Sequence, residues 1–185
     1  SLMQINDIHI GNRFDYNYII DSFRKAQKFN PDFVVYTWDY VNYESEKQFE
    51  QLDEVLKYTV KGKIGTVGIL GNHDYWALNF APEKVMNNYD QNKANLLLCH
   101  NPDVCDLDVW NGYKGWTLFG HTHEGLCKPP FLNVPMLLVK NTRYSQGEID
   151  LNDGRTLYVN RAVGHLWQVR FNVRPEITIF ELEKA

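Results

Sequence analysis

Five short apolar runs in this chain each end in a cluster of Asp, Asn or His, and that repetition restricts the fold more than any other feature. Leu2-Met3-Gln4-Ile5-Asn6 alternates apolar and polar residues and leads straight into Asp7-Ile8-His9. Phe33-Val34-Val35-Tyr36 ends at Thr37-Trp38-Asp39, and Ile64 to Leu70 ends in Gly71-Asn72-His73-Asp74. Leu96-Leu97-Leu98-Cys99 ends at His100, and Gly115 to Phe119 ends at Gly120-His121-Thr122-His123. Short β-rich runs bounded by turn-forming residues predict strands, and the continuous ones suit strands buried on both faces.

The connections predict what covers those strands. From Tyr18 to Phe29 the apolar residues Tyr18, Ile19, Phe23 and Ala26 recur at helical spacing until Asn30-Pro31-Asp32 stops them. Ser45 to Tyr58 carries Phe49, Leu52, Val55 and Leu56 at the same spacing, with Ser45 and Gln48 placed as a capping box. The first part therefore reads β-α-β-α-β, with polar clusters at the carboxyl ends of the strands, where open α/β sheets place their ligands. Beyond Pro130, Met136 to Val139, Thr156 to Val159 and Ile177 to Leu182 read as strands, with a turn at Asn152-Asp153-Gly154. No helix is expected in that part.

With 185 residues the chain is read as a single domain, 1–185. A formal charge of -4 provides no broad basic field for nucleic-acid phosphates, so an anionic substrate needs a local device such as a metal site. Cys99, Cys105 and Cys127 are odd in number and irregular in spacing, which fits reduced, mostly buried thiols. No window approaches the ~18 to 20 apolar residues of a membrane span, and no signal-peptide pattern opens the chain.

The strand ends deliver Asp7, His9, Asp39, Asn72, His73, Asp74, His100, His121 and His123. An Asp at a strand end is more often a turn former than a ligand, and a lone buried His is usually a satisfied core residue. Five of the six histidines nevertheless stand at predicted strand ends; His165, which does not, is read as structural. Alternate residues of an extended segment point the same way, so Asp7 and His9 can grip one ion. One metal takes about four to six donors, and the surplus here suggests two ions with a carboxylate between them. Nitrogen and oxygen donors without thiolate suit Mn²⁺, Fe or Zn²⁺ better than Ca²⁺.

The ordered blocks Asp7-Ile8-His9, Asp39, Gly71-Asn72-His73-Asp74, Cys99-His100 and Gly120-His121-Thr122-His123 resemble the calcineurin-like metallophosphoesterases along essentially the whole chain. The resemblance implies an α/β fold, a two-sheet sandwich flanked by helices. It also implies hydrolysis of a phosphoester or pyrophosphate by a metal-bound hydroxide. Residue by residue, it implies that Asp7, His9 and His123 hold one divalent metal, that Asn72, His100 and His121 hold the other, and that Asp39 bridges them. His73 would protonate the leaving oxygen or stabilise transition-state charge, and Asp74 would orient its ring.

Gly71-Asn72-His73-Asp74-Tyr75-Trp76, His100-Asn101-Pro102-Asp103 and Arg174-Pro175-Glu176-Ile177-Thr178 resemble the membrane-associated bacterial branch that includes UDP-diacylglucosamine hydrolases. A phosphorylated small molecule or a lipid-linked substrate is the partner this implies, with no nucleic acid expected. Two departures stand out. Trp38 occupies the place of the usual Gly before the bridging Asp, which brings the geometry of Asp39 into question. Glu124-Gly125 replaces Gly-Gly, and Glu124 is expected to be a solvated surface charge. Trp76, Trp110, Trp116 and Trp167 are expected to pack in the core. A non-catalytic scaffold of the same fold and a nuclease are the alternatives. Trp38 is the one feature favouring the scaffold, and the acidic balance weighs against the nuclease.

The first strand begins at residue 2, and with the branch resemblance this predicts an amino-terminal membrane anchor in the natural protein. The stretch from His73 to His100 is short for the family. Either the fold is trimmed or the natural chain carries further residues between Asp74 and Ala81; the second is expected.

Overall fold

The computed structural model describes residues 1–11, 15–42, 47–72, 90, 92–131, 137–165 and 169–183. Its strands form two four-stranded sheets. The first contains β1 (Leu2–Asn6), β2 (Phe33–Trp38), β3 (Gly65–Leu70) and β8 (Ile177–Phe180), in the order β3-β2-β1-β8. β1, β2 and β3 run parallel, and β8 is antiparallel to β1. The second contains β4 (Leu96–Leu98), β5 (Gly115–Phe119), β6 (Gly147–Asp150) and β7 (Arg155–Val159), in the order β4-β5-β7-β6. This is the mixed α/β two-sheet architecture expected from the sequence.

Helices α1 (Asn17–Gln27) and α2 (Lys47–Leu56) sit where the apolar periodicity puts them. α1 buries Ile19, Ile20, Phe23 and Ala26, which pack with Met3, Ile5, Val34, Tyr36 and Trp38 of the first sheet. The opposite face of that sheet meets the second sheet through Leu2, Val35 and Leu118, supported by Leu98, Tyr158 and Phe180. Each buried aliphatic side chain contributes roughly 1.5–3 kcal/mol relative to exposure, so these two layers fix the sheet ends against each other.

Several expectations are corrected. Leu137, Leu138 and Val139 form no strand, because the Leu138 carbonyl is engaged by a side chain instead of a ladder. β6, unexpected from the sequence, pairs antiparallel with β7 across the Asn152-Asp153-Gly154 turn, where Asn152 and Gly154 adopt φ of +63° and +95°. Trp116 is 38 % exposed and touches Phe180, so it is not a core residue. Trp110 is half-buried, with the Arg155 guanidinium 4.6 Å from the centre of its ring. The Ser45 cap, Trp76, Trp167 and the Asp74 to Ala81 stretch lie outside the described residues. Cys99, Cys105 and Cys127 are free thiols, and burial pushes the Cys99 thiol up to about 12. Among the described residues no helix is long and apolar enough to cross a membrane.

Candidate metal centre

The strand ends converge. Asp7 follows β1 and Asp39 follows β2, and their backbones interlock: the N–H groups of Ile8 and His9 donate to the Asp39 carbonyl at 3.2 and 3.1 Å. The Asp7 carboxylate is fully buried and gathers donors from both sheets. Its Oδ1 accepts from Asp39 N at 3.0 Å, and its Oδ2 accepts from His121 N at 2.9 Å and Asn6 Nδ2 at 3.0 Å. From behind, Gly164 N donates to the Asp7 carbonyl at 2.7 Å.

Two groups of side chains result. Asp7, His9 and His123 form one, and Asp39, His100 and His121 the other; within each, one ligand atom per residue lies within 4.8 Å of the rest. His9 Nε2 and His123 Nε2 are 2.9 Å apart, and His123 Nε2 is 3.4 Å from Asp7 Oδ2. His100 Nε2 is 3.2 Å from Asp39 Oδ2 and 3.2 Å from His121 Nδ1. His100 Nδ1, 3.4 Å from Asp7 Oδ1, ties the second group to the first. Asn72 follows Gly71 at the end of β3 and is exposed. His73 and Asp74 lie outside the described residues.

The backbone is bent to make this possible. Asp7, His9, His121 and His123 have φ of +36°, +48°, +71° and +48°, a region that costs L-residues of order 1–2 kcal/mol each and recurs at functional sites. Two glycines give the carboxylates room. A Cβ on Gly71 would lie 2.0 Å from Asp39 Oδ1, and one on Gly120 would lie 2.0 Å from Asn6 Oδ1, the side chain that holds Asp7.

Trp38 does not crowd the site. Its ring is 1 % exposed on the helix side of the sheet, stacked on Phe23, and its Nε1 donates to the Ile5 carbonyl at 2.8 Å. Strand alternation turns the indole away from Asp39, which answers the question this substitution raised. Glu124 is a correction in the other direction. It is 2 % exposed, not a solvated surface charge, and it pairs with Lys128 at 2.8 Å and Arg161 at 3.8 Å.

Electrostatically the cluster is a buried meeting of two carboxylates with imidazoles, of which His121 and His123 are held neutral. Burial, reinforced by the neighbouring Asp39 and opposed by His100, raises Asp7 to about 7. Burial opposes charge on His100, but Asp7 and Asp39 outweigh it and raise the ring to about 9. Burial and the charge of His100 lower His121 to about 4, and burial with His9 holds His123 well below its ordinary value. Two carboxylates with lone pairs on facing rings, and a buried His123 Nδ1 without a hydrogen-bond partner, make a donor set suited to divalent cations. Two nitrogens each ~2.0–2.1 Å from one cation lie about 3 Å apart at a right angle, close to the 2.9 Å between His9 and His123.

The sequence pattern missed the groups that support this pocket. Asn6, Thr37, Gly164 and the Leu138 carbonyl hold the predicted residues in place. The one available signal was the Asn6-Asp7 pair itself, a buried amide next to a buried carboxylate.

The calcineurin-like phosphoesterase family matches residues 1–127. The phosphodiesterase YaeI of Escherichia coli (strain K12) is 33 % identical over 117 residues, which are 62 % of this chain and 40 % of that protein. The UDP-2,3-diacylglucosamine pyrophosphatase LpxG of Chlamydia muridarum is 33 % identical over 121 residues, 61 % of this chain and 36 % of that protein. Its counterpart in Chlamydia trachomatis serovar D is 31 % identical over 122 residues, again 36 % of its length. The matched stretch thus spans well under half of each of these relatives. No solved structure gives a significant match. The chain belongs to the calcineurin-like phosphoesterase family, whose members are metal-dependent phosphohydrolases.

Proposed function

We propose that this chain hydrolyses a phosphodiester or pyrophosphate bond with the help of two divalent cations. The observation that carries this reading is the pair of ligand groups, Asp7, His9, His123 and Asp39, His100, His121, assembled side by side from both sheets. Asp7, His9 and His123 would hold one cation. Asn72, His100 and His121 would hold the other, with Asp39 between the two groups. When bound, such cations supply Lewis acidity, lowering the pKa of coordinated water towards neutrality and offsetting charge that builds on the phosphoryl oxygens.

The chain's own residues do the rest. Buried Asp7 and Asp39 keep the floor of the pocket anionic, and the neutral rings of His121 and His123 offer lone pairs instead of competing charge. His73 protonates the leaving oxygen or stabilises its charge, and Asp74 orients His73. The relatives are named a phosphodiesterase and a UDP-2,3-diacylglucosamine pyrophosphatase, which supports small or lipid-linked phosphodiesters and pyrophosphates as the substrate range.

The test is turnover of bis-p-nitrophenyl phosphate with added Mn²⁺, alongside metal analysis and a panel that includes a lipid-linked nucleoside diphosphate. Mn²⁺-dependent hydrolysis and two ions per chain are expected. Absence of metal uptake together with absence of hydrolysis would overturn the reading in favour of a scaffold.

A further inference from the structure

The ring of His121 has two nitrogens, and only one of them faces the cluster. Its Nε2 lies 2.9 Å from the Leu138 carbonyl, which can only accept, so the proton of the neutral ring belongs on Nε2. Nδ1 is then a bare lone pair, 3.2 Å from His100 Nε2. The Leu138 carbonyl therefore decides which atom His121 presents.

No sheet holds that carbonyl. Residues 137–140 are irregular, with neither helix nor strand among them. What holds the loop is Asp103. Lys140 N donates to Asp103 Oδ1 and Oδ2 at 3.0 Å each, and Asn141 N donates to Oδ1 at 3.2 Å. The Asn141 side chain adds a bond to Asp106 Oδ2 at 3.0 Å. Asp103 is itself fixed in the short 3₁₀ turn Pro102–Asp106, where its N–H donates to Asn101 Oδ1 at 2.9 Å. The run His100-Asn101-Pro102-Asp103 thus supplies one ring of the cluster at its first position and, at its fourth, the carboxylate that anchors the loop facing another ring.

We infer that Asp103 is a positioning residue: by holding the 138–141 loop it keeps the Leu138 carbonyl on Nε2 of His121 and so presents Nδ1 to the metal. The inference rests on the ligand role given to His121 above. Outer hydrogen bonds that fix the tautomer of a ligating histidine are worth ~10- to 100-fold in metal affinity.

The experiment uses metal-free protein labelled with ¹⁵N-histidine, read by long-range ¹H–¹⁵N correlation, and Mn²⁺ titrations by calorimetry. In the wild type, His121 should carry its proton on Nε2. Asp103→Ala should give a mixture of tautomers and weaken one Mn²⁺ site about tenfold or more, with the other site unchanged. Asp103→Asn keeps an acceptor oxygen and should restore both readouts. Asp103→Ser, too short to reach both amides, should follow the Ala variant and serves in its place if Ala does not fold. A wild-type His121 protonated on Nδ1, or a folded Ala or Ser variant with unchanged tautomer and affinities, overturns the inference. A wild type that binds no Mn²⁺ overturns the proposed function instead, while the tautomer measurement still judges the role of Asp103.

Discussion

His9 Nε2 and His123 Nε2 lie 2.9 Å apart although 114 residues separate them in the chain. Two ring lone pairs at that distance repel unless a proton or a cation sits between them, so their approach is held by the surrounding fold. The holding groups are specific. Backbone bonds from Ile8 and His9 to the Asp39 carbonyl fix one ring's segment, and the left-handed turn at His123 fixes the other.

Asp39→Asn should lose dinuclear occupancy and lower turnover of bis-p-nitrophenyl phosphate by at least ~10²-fold, the scale of a lost electrostatic stabiliser. Removing a charge shared by two cations leaves them repelling one another in a poorly solvated pocket. Metal analysis of the purified variant checks this. Full activity at two ions per chain would take Asp39 out of the bridging position.

His73→Ala should separate chemistry from binding. Both ions should remain, with kcat down roughly 10²-fold or more, the contribution of a general acid or charge stabiliser. Loss of an ion in this variant would instead identify His73 as a ligand.

Glu124 tests the strain in the turn that carries His123. His123, Glu124, Gly125 and Leu126 all have positive φ, and the Glu124 carboxylate ties the turn to Lys128 and Arg161. Glu124→Ala removes the ties and keeps the steric cost of a Cβ at φ +49°, whereas Glu124→Gly removes both. The Gly variant should therefore be more stable than the Ala variant by about 1 kcal/mol in urea unfolding, with both below wild type. An Ala variant at least as stable as Gly would show that the turn is unstrained.

Glu176 should control an acid transition. Burial alone would raise its pKa, but bonds from Thr178, Tyr158 and Arg161 outweigh burial and hold it below its ordinary 4.5. A depressed folded pKa adds stability that is complete above the unfolded value and is lost as pH falls through the folded one. The stability gap between wild type and Glu176→Gln should be constant above about pH 5.5 and close as pH drops below about 4.5, followed by urea midpoints. A gap that stays constant through that range would mean Glu176 is not ionised in these bonds.

The cluster was legible because its side chains are rare types repeated at strand ends, a pattern that survives uncertainty about any one strand. Long strands and amphipathic helices were legible for the same reason: period and length agree. Glu124 was misread because Lys128 and Arg161, which make its burial tolerable, come from the next turn and a distant loop. Leu137, Leu138 and Val139 looked like a strand because they are apolar, yet a histidine nitrogen competes for the backbone there. β6 escaped notice because Gly147-Glu148-Ile149-Asp150 has a single strong strand former and takes its order from pairing with β7. Trp116 is 38 % exposed although β5 is flanked by β4 and β7, which no local pattern records.

β1, the strand that leads into Asp7, has one partner near in sequence and one remote: Leu2 pairs with Phe33 on one side and with Phe180 on the other. Nearby parallel pairing can form early, while a contact spanning almost the whole chain is slow to close. A chain in which only β1, β2 and β3 have paired already has Asp7 and His9 beside Asp39, while His100, His121 and His123 join them only when the second sheet docks. Neither ligand group is complete before that docking, so the rate at which a refolding chain takes up Mn²⁺ should report the arrival of its second sheet.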